Sequence, residues 1–350
     1  MIDYFLTGPG QAFTRLVIYL VAFLAFVGLN AAYLVLAERK GAGWFQRRPG
    51  PNEVGPAGLL QPIVDGVKLI VKQTIVPPGT DGLLFRLAPA IMLVPAFMCL
   101  ATIPYAESVY GRSINVGLLM VFSFGSISVF AIMLGGWASR NKYAVISAAR
   151  IVSQNIAYEI PMLLVVITML MVTGTMNLQE IVGQQAGGFW HWNILKGIWT
   201  LTNPLMPVTF VIFFICMLAE TNRAPFDMAE AESELIAGAF TEYAGFSWGL
   251  FFKGEYANIV VSCSVGTILF LGGWQSPIGV LSGGAWGLLW FFAKMYLLIF
   301  TVIWVRWTFP RTQFYGLLNL SWKILIPVSL FTLMLTGALL KLPLLLHQLF

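Results

Sequence analysis

The chain is 350 residues long, 58% hydrophobic and only 10% charged, with a formal net charge of +5 and a mean hydropathy of +0.82. Apolar runs long enough to cross a bilayer recur from end to end, which excludes a water-soluble protein and predicts a polytopic membrane protein. The alternating ten-residue segments of an outer-membrane barrel are absent, so the expected fold class is all-α.

The first thirty residues carry no basic start ahead of their apolar run and no small-residue cleavage pattern, so the first span, near 16–37, is expected to stay in the protein. It ends at "AERKGAGWFQRRPGP" (37–51), where Glu38 stands beside Arg39 and Lys40 in what reads by itself as an ordinary positive stop signal. Next, "GLLQPIVDGVKLIVK" (58–72) repeats Leu59, Leu60, Ile63, Val64, Val67 and Ile70 at helical spacing, with Asp65, Lys68 and Lys72 on the other side. Too short and too charged to span, it is either an amphipathic helix lying at the membrane surface or a scaffold helix under the bundle. On its polar side Asp65 reads as a solvated residue.

Further spans are expected near 83–104, 116–138 and 151–173. The last contains "QNIAYEIP", which puts Glu159 inside an apolar stretch, where an ionised carboxylate costs on the order of 3 kcal/mol at the bilayer centre. Such a residue has to be paired, protonated or functional. Two residues on, Pro161 frees backbone groups and is expected to bend the helix. The long, Trp-rich connection 174–203 has no evident chemistry, and packing against a neighbouring membrane subunit is the expectation for it.

A short fifth span near 204–220 runs into "AETNRAPFDMAEAESEL" (219–235), which holds five carboxylates: Glu220, Asp227, Glu230, Glu232 and Glu234. Pro225 suits the first turn of a helix. Asp227, Glu230 and Glu234 then follow at i, i+3 and i+7 and share one face, where like charges repel and make at least one of them hold its proton more tightly. With Glu242 included, the acidic loop 220–245 has Arg223 as its one base. Charge counting alone leaves open a solvated loop that neutralises a basic partner. Glu159 favours a different reading, in which Glu220 joins the loop acids to the membrane interior as a chain of titratable groups. Spans near 250–272, 286–305 and 322–340 complete an expected eight, in one integral membrane domain covering 1–350.

Twelve Lys and Arg residues fall in segments 38–82, 139–154, 221–249 and 306–321, against four in 1–15, 105–115, 174–203, 273–285 and 341–350. The first set is therefore expected to face the cytoplasm and both termini the other side. Because the basic residues cluster at span ends, no nucleic-acid partner is expected. Cys99, Cys216 and Cys263 are isolated in apolar stretches, and neither His191 nor His347 has a partner at ligand spacing, so no metal or cluster is expected to be held by this chain. Phosphate-binding glycine loops are absent, and two histidines leave a Ser/His/Asp site implausible. Any redox centre must belong to a partner.

Three stretches, "AERKGAGWFQRRPGPNEVGPAGLLQPIVDGVKL" (37–69), "GWASRNKYAVISAARIVSQNIAYE" (136–159) and "AETNRAPFDMAEAESELIAGAFTEYA" (219–244), resemble the signature regions of subunit 1 (the H subunit in bacteria) of respiratory complex I, the proton-pumping NADH:quinone oxidoreductase. Their order and spacing cover nearly the whole chain, and "RWTFPRTQ" (306–313) fits as well. The resemblance implies a place where the membrane arm meets the hydrophilic arm, with the cytoplasmic loops forming much of a chamber that a quinone, ubiquinone or menaquinone, reaches from the lipid. It implies no metal or flavin in this chain, with iron–sulfur clusters and FMN in partner subunits. The partners so implied are the quinone-site subunits of the hydrophilic arm and small membrane-arm subunits.

Matched residue by residue, the resemblance puts Arg39, Asp65 and Asp227 near the chamber or its mouth. It makes Glu159, Glu220, Glu230, Glu232 and Glu234 acids that link the chamber to charged residues of the membrane arm, and Glu242 completes the acidic loop. The implied location is the bacterial inner membrane with periplasmic termini, although an organelle inner membrane fits too. Three rivals stay open at this point: the membrane subunit of an energy-converting hydrogenase, which shares the architecture, a self-sufficient proton-coupled transporter, and a purely structural anchor, which the cost of keeping Glu159 in an apolar stretch disfavours.

Overall fold

The computed structural model describes residues 9–111, 113–199, 204–227, 238–279 and 283–349, and among these there is helix and no strand. The chain divides into two compact units, Met1–Lys68 and Leu69–Phe350. The first holds α1 (Pro9–Phe45) and most of α2 (Gln61–Val71), whose last three residues are counted with the second. Val27, Ala31, Leu34, Glu38 and Ala42 form one buried stripe of α1 at helical spacing, so Glu38, only 6% exposed, lies in line with apolar side chains. No residue of α2 is buried, and Ile63, Val67 and Ile70 stand open on one side of it.

The second unit is built around α5 (Lys142–Thr173), a helix of 32 residues and so about 48 Å long. Its start is set by Asn141, whose side chain accepts from the Tyr143 amide, and its end by Gly174 in the left-handed conformation. Around it stand α3 (Gly82–Thr102), α4 (Gly117–Ala138), α8 (Met206–Glu220), α9 (Gly245–Phe270), α10 (Ala285–Thr308) and α12 (Ile326–Leu349), with α4, α8 and α12 packing directly on α5. The crossing of α4 and α5 is close because Gly136 has no side chain: a methyl there would sit 2.5 Å from the Ala148 Cβ. Short helices α6 (Leu178–Gly183), α7 (Asn193–Trp199) and α11 (Phe314–Leu320) lie in the connections.

Among the described residues six helical stretches are long and apolar enough to cross a membrane: Val17–Phe45, α3, α4, α5, α10 and the continuous run Phe314–Lys341. The expected fifth and sixth spans differ from these for separate reasons. With 15 residues, α8 is apolar but only about 22 Å long, short of a hydrocarbon core of roughly 30 Å. With 26 residues, α9 has the length but carries Lys253, Glu255 and Asn258.

Pro161 sits inside α5 without ending it. Proline has no N–H to offer the carbonyl four residues back, which here belongs to Ala157. The Ser321 hydroxyl donates to that carbonyl at 2.5 Å, from the π-helical turn Ser321–Leu325 that joins α11 to α12. One residue along, the Tyr158 hydroxyl donates to Leu317 O at 3.0 Å. An irregularity of the sequence thus becomes the seam between α5 and α11–α12.

The Trp-rich connection closes over the end of α9, where the last turn leaves carbonyls without helical partners. Gln185 donates to Ile268 O and Asn193 to Leu269 O, each at 2.8 Å. From α10, the Lys294 ammonium donates to the carbonyls of Leu271, Gly273 and Gln275 and lies 4.1 Å from the centre of the Trp192 ring. All three of its protons are used, which is how a lysine is tolerated in an apolar helix.

Candidate functional site

Glu159 on α5 and Glu220 at the end of α8 line one small cavity, with room for about a single water molecule, together with Ser126 and Val129 of α4 and Asn155 and Tyr158 of α5. The Ser126 hydroxyl donates to Glu159 Oε1 at 2.5 Å. Asn155 is 4% exposed, and its Oδ1 has no hydrogen-bond partner among the described residues. A buried acceptor left open is costly, so its presence on the wall of an acid-lined cavity marks the cavity as polar ground inside the bundle.

From Glu220 the chain leaves α8 and makes a compact turn to Asp227. The Thr221 hydroxyl caps the Met217 carbonyl, Asn222 takes a positive φ of 50°, and the Arg223 amide donates to Leu218 O. The turn hangs on one residue of α5. Gln154, fully buried, donates from Nε2 to both Ala219 O and Phe226 O, each at 2.9 Å. Those carbonyls immediately precede Glu220 and Asp227, so one buried amide places the backbone of both acids.

Asp227 is 4% exposed and pairs with Arg311 at 3.4 Å. The partner comes from the connection after α10, whose Thr312 donates to Pro225 O from both its amide and its hydroxyl at 2.9 Å. Arg223, the base within the acidic loop, lies buried with its guanidinium 4.2 Å over the Tyr256 ring of α9. Further along the loop, Ala239, Phe240 and Tyr243 join a core with Phe85, Ile132, Ile151 and Phe251. Tyr243 stacks on Phe85 at 4.0 Å and donates to its carbonyl, and burial pushes its phenol well above the usual range. The described ends of the loop, 220–227 and 238–245, are therefore largely buried, unlike a wholly solvated acidic loop.

The other sequence candidates fall elsewhere. Glu242 accepts from the Asn141 side chain at 2.7 Å, at the start of α5 and so about 27 Å along the helix axis from Glu159. Glu230, Glu232 and Glu234 lie outside the described residues. In the first unit Arg39 and Asp65 form an ion pair at 2.8 Å, with Gln61 donating to the second oxygen of Asp65 at 2.8 Å. Asp65 is thus engaged rather than simply solvated.

Sequence reasoning passed over Gln154, Asn155, Ser126 and Arg311. The first two carried a signal, since two adjacent amides in the middle of an apolar span each need a reason. Arg311 carried none, because nothing local links it to a carboxylate 84 positions away.

Compared with known proteins, the chain matches over residues 18–337 the model of the family described as NADH dehydrogenase. It is 57% identical over 318 residues to the H subunit of the NADH-quinone oxidoreductase of Desulfotalea psychrophila, covering 91% of this chain and 94% of that relative. To the H subunit of the NADH-quinone oxidoreductase of Paraburkholderia xenovorans it is 43% identical over 329 residues, covering 93% of this chain and 90% of that relative.

Proposed function

The chain belongs to the NADH dehydrogenase family, and from that premise we propose that it is the H subunit of a proton-translocating NADH:quinone oxidoreductase, complex I, in which its buried acids couple quinone reduction to proton movement. The observation that carries the reading is the cavity shared by Glu159 and Glu220, joined through the Gln154-held turn to the buried Asp227 and its half-exposed partner Arg311. The enzyme is the multi-subunit complex. In this reading the clusters and flavin that deliver electrons sit in partner subunits, and quinone is the substrate met on the cytoplasmic side.

Quinone taking two electrons must also take two protons to become quinol. A unit charge appearing 10 Å away shifts a carboxylate by about 1.7 kcal/mol at an effective dielectric of 20, and the effect fades with distance and water. Long-range coupling therefore requires titratable groups in steps. Asp227, held by Arg311, is the acid at the chamber end. Glu220 and Glu159 carry the change into the bundle, with Glu230, Glu232 and Glu234 continuing the acidic line. Arg39 and Asp65 stand at the chamber mouth, and the open apolar face of α2 supports its lying on the lipid surface. The Lys and Arg distribution supports a bacterial inner membrane with both termini periplasmic.

The test is made in the assembled complex. Glu159→Gln and Asp227→Asn are expected to cut quinone reduction and its proton yield about tenfold, an effect of roughly 1.4 kcal/mol, while reduction of a water-soluble acceptor at the donor end stays normal. Unchanged quinone reduction and proton yield in both variants would remove the acids from the mechanism.

A further inference from the structure

Glu220 lines a second small cavity as well, which adjoins the first along the same face of α8 and is lined there by Phe213 and Glu220. This second cavity is bounded by Gly125 of α4 and by Asn258 and Ser262, one turn apart on α9. Phe122 and Met162 line both cavities, so together with Glu220 they make the wall between the two. Only the second cavity reaches Gly125, and only the first reaches Asn155 and Glu159.

Gly125 lies within α4, where glycine costs about 1 kcal/mol relative to alanine. What it leaves room for is specific: the one atom near an added methyl is Glu220 Oε1, at 3.3 Å. The carboxyl therefore rests in a seat that glycine vacates, on the side of the second cavity. On the side of the first, the orphan Oδ1 of Asn155 is an acceptor waiting for a donor, which a protonated carboxyl or a water held between them supplies.

We propose that the Glu220 side chain swings between the two cavities, resting against Gly125 in one position and turned toward Asn155 and Glu159 in the other, and so passes protons from one compartment to the next. Building on the coupling function proposed above, it gives Glu220 a definite task within it. In the turned position the Glu220 O–H gives its proton, through a water held by Asn155, to the Glu159 carboxylate. Glu220, left as a carboxylate, returns to the Gly125 seat and is reprotonated there by a hydronium ion arriving through water beside Asn258 and Ser262, which leaves a neutral water behind. The other titratable groups lining the two cavities with it are Cys99 from α3, Cys216 one turn back on α8, and Tyr158 and Glu159 from α5.

The experiment uses the assembled complex in proteoliposomes with Gly125→Ala, Glu220→Gln and the double variant. Gly28→Ala is the control, since a methyl there meets nothing within 4 Å. Proton-coupled quinone reduction is measured alongside the infrared carboxyl band of Glu220, assigned by its disappearance in Glu220→Gln. Gly125→Ala is expected to lower coupled turnover roughly three- to tenfold and to shift the band, and to add nothing in the Glu220→Gln background, as residues acting as one unit do. Gly28→Ala leaves both unchanged. Normal turnover in Gly125→Ala overturns the proposal, as does an unmoved band, which reduces any loss to helix packing. If Glu220→Gln itself keeps full coupled activity, it is the coupling function of this acid that falls, and with it the swing.

Discussion

Gln154 illustrates how much one buried side chain controls here. Its amide nitrogen holds the carbonyls that precede Glu220 and Asp227, 65 and 72 positions away along the chain. Replacing it by leucine removes both donors; Ala219 O keeps a bond from the Asn222 amide, whereas Phe226 O loses a buried partner. Gln154→Leu is expected to cost about 2 kcal/mol, read as a lowered Tm of the solubilised complex, and to reduce quinone turnover because Asp227 is no longer held in place. Arg39→Ala contrasts with it. Its pair with Asp65 is 50% and 31% exposed, so its contribution to stability stays below about 1 kcal/mol. A fall in quinone reduction without a fall in Tm for Arg39→Ala then reports on the chamber mouth; unchanged turnover removes Arg39 from it.

At the scale of elements, the seam between α5 and α11–α12 depends on a missing hydrogen bond. Pro161 deprives Ala157 O of its helical donor and Ser321 replaces it. Ser321→Ala is expected to destabilise the protein by about 1 kcal/mol, and by clearly less in a Pro161→Ala background, where the helix supplies its own N–H. Equal losses in both backgrounds would show that Ser321 acts through something other than this carbonyl. Lys294 makes the equivalent tie at the far end of α9. Lys294→Met leaves the Leu271, Gly273 and Gln275 carbonyls without their common donor, and a loss on the order of 3 kcal/mol is expected, measured as reduced yield and Tm of the assembled complex.

For the whole molecule, the test concerns direction in the membrane. Cys99, Cys216 and Cys263 are all buried, so a single introduced cysteine can be labelled against a quiet background. Gln73 and Ala186 are both exposed and lie in connections assigned to opposite sides. A membrane-impermeant maleimide is expected to label Ala186→Cys from outside intact cells and Gln73→Cys only in inverted vesicles. The reverse pattern would invert the orientation drawn from the Lys and Arg count.

The membrane class and helical fold were legible from the chain alone, because each depends on the transfer free energy of a local segment into lipid, which composition reports directly. The acids were legible too, since a carboxylate in an apolar stretch such as that around Glu159 is conspicuous wherever it packs. What those acids meet was decided only by tertiary structure. Arg311 reaches Asp227 across 84 positions and Ser321 reaches Ala157 across 164, and no local period or propensity records such pairs. The same holds for Gly125, which in sequence is a small residue in an apolar helix and in the fold is the place where the Glu220 carboxyl rests. Hydrophobic transfer is additive along the chain and can be read from it, whereas hydrogen bonds and close contacts between helices exist only once packing has brought distant side chains within a few ångströms.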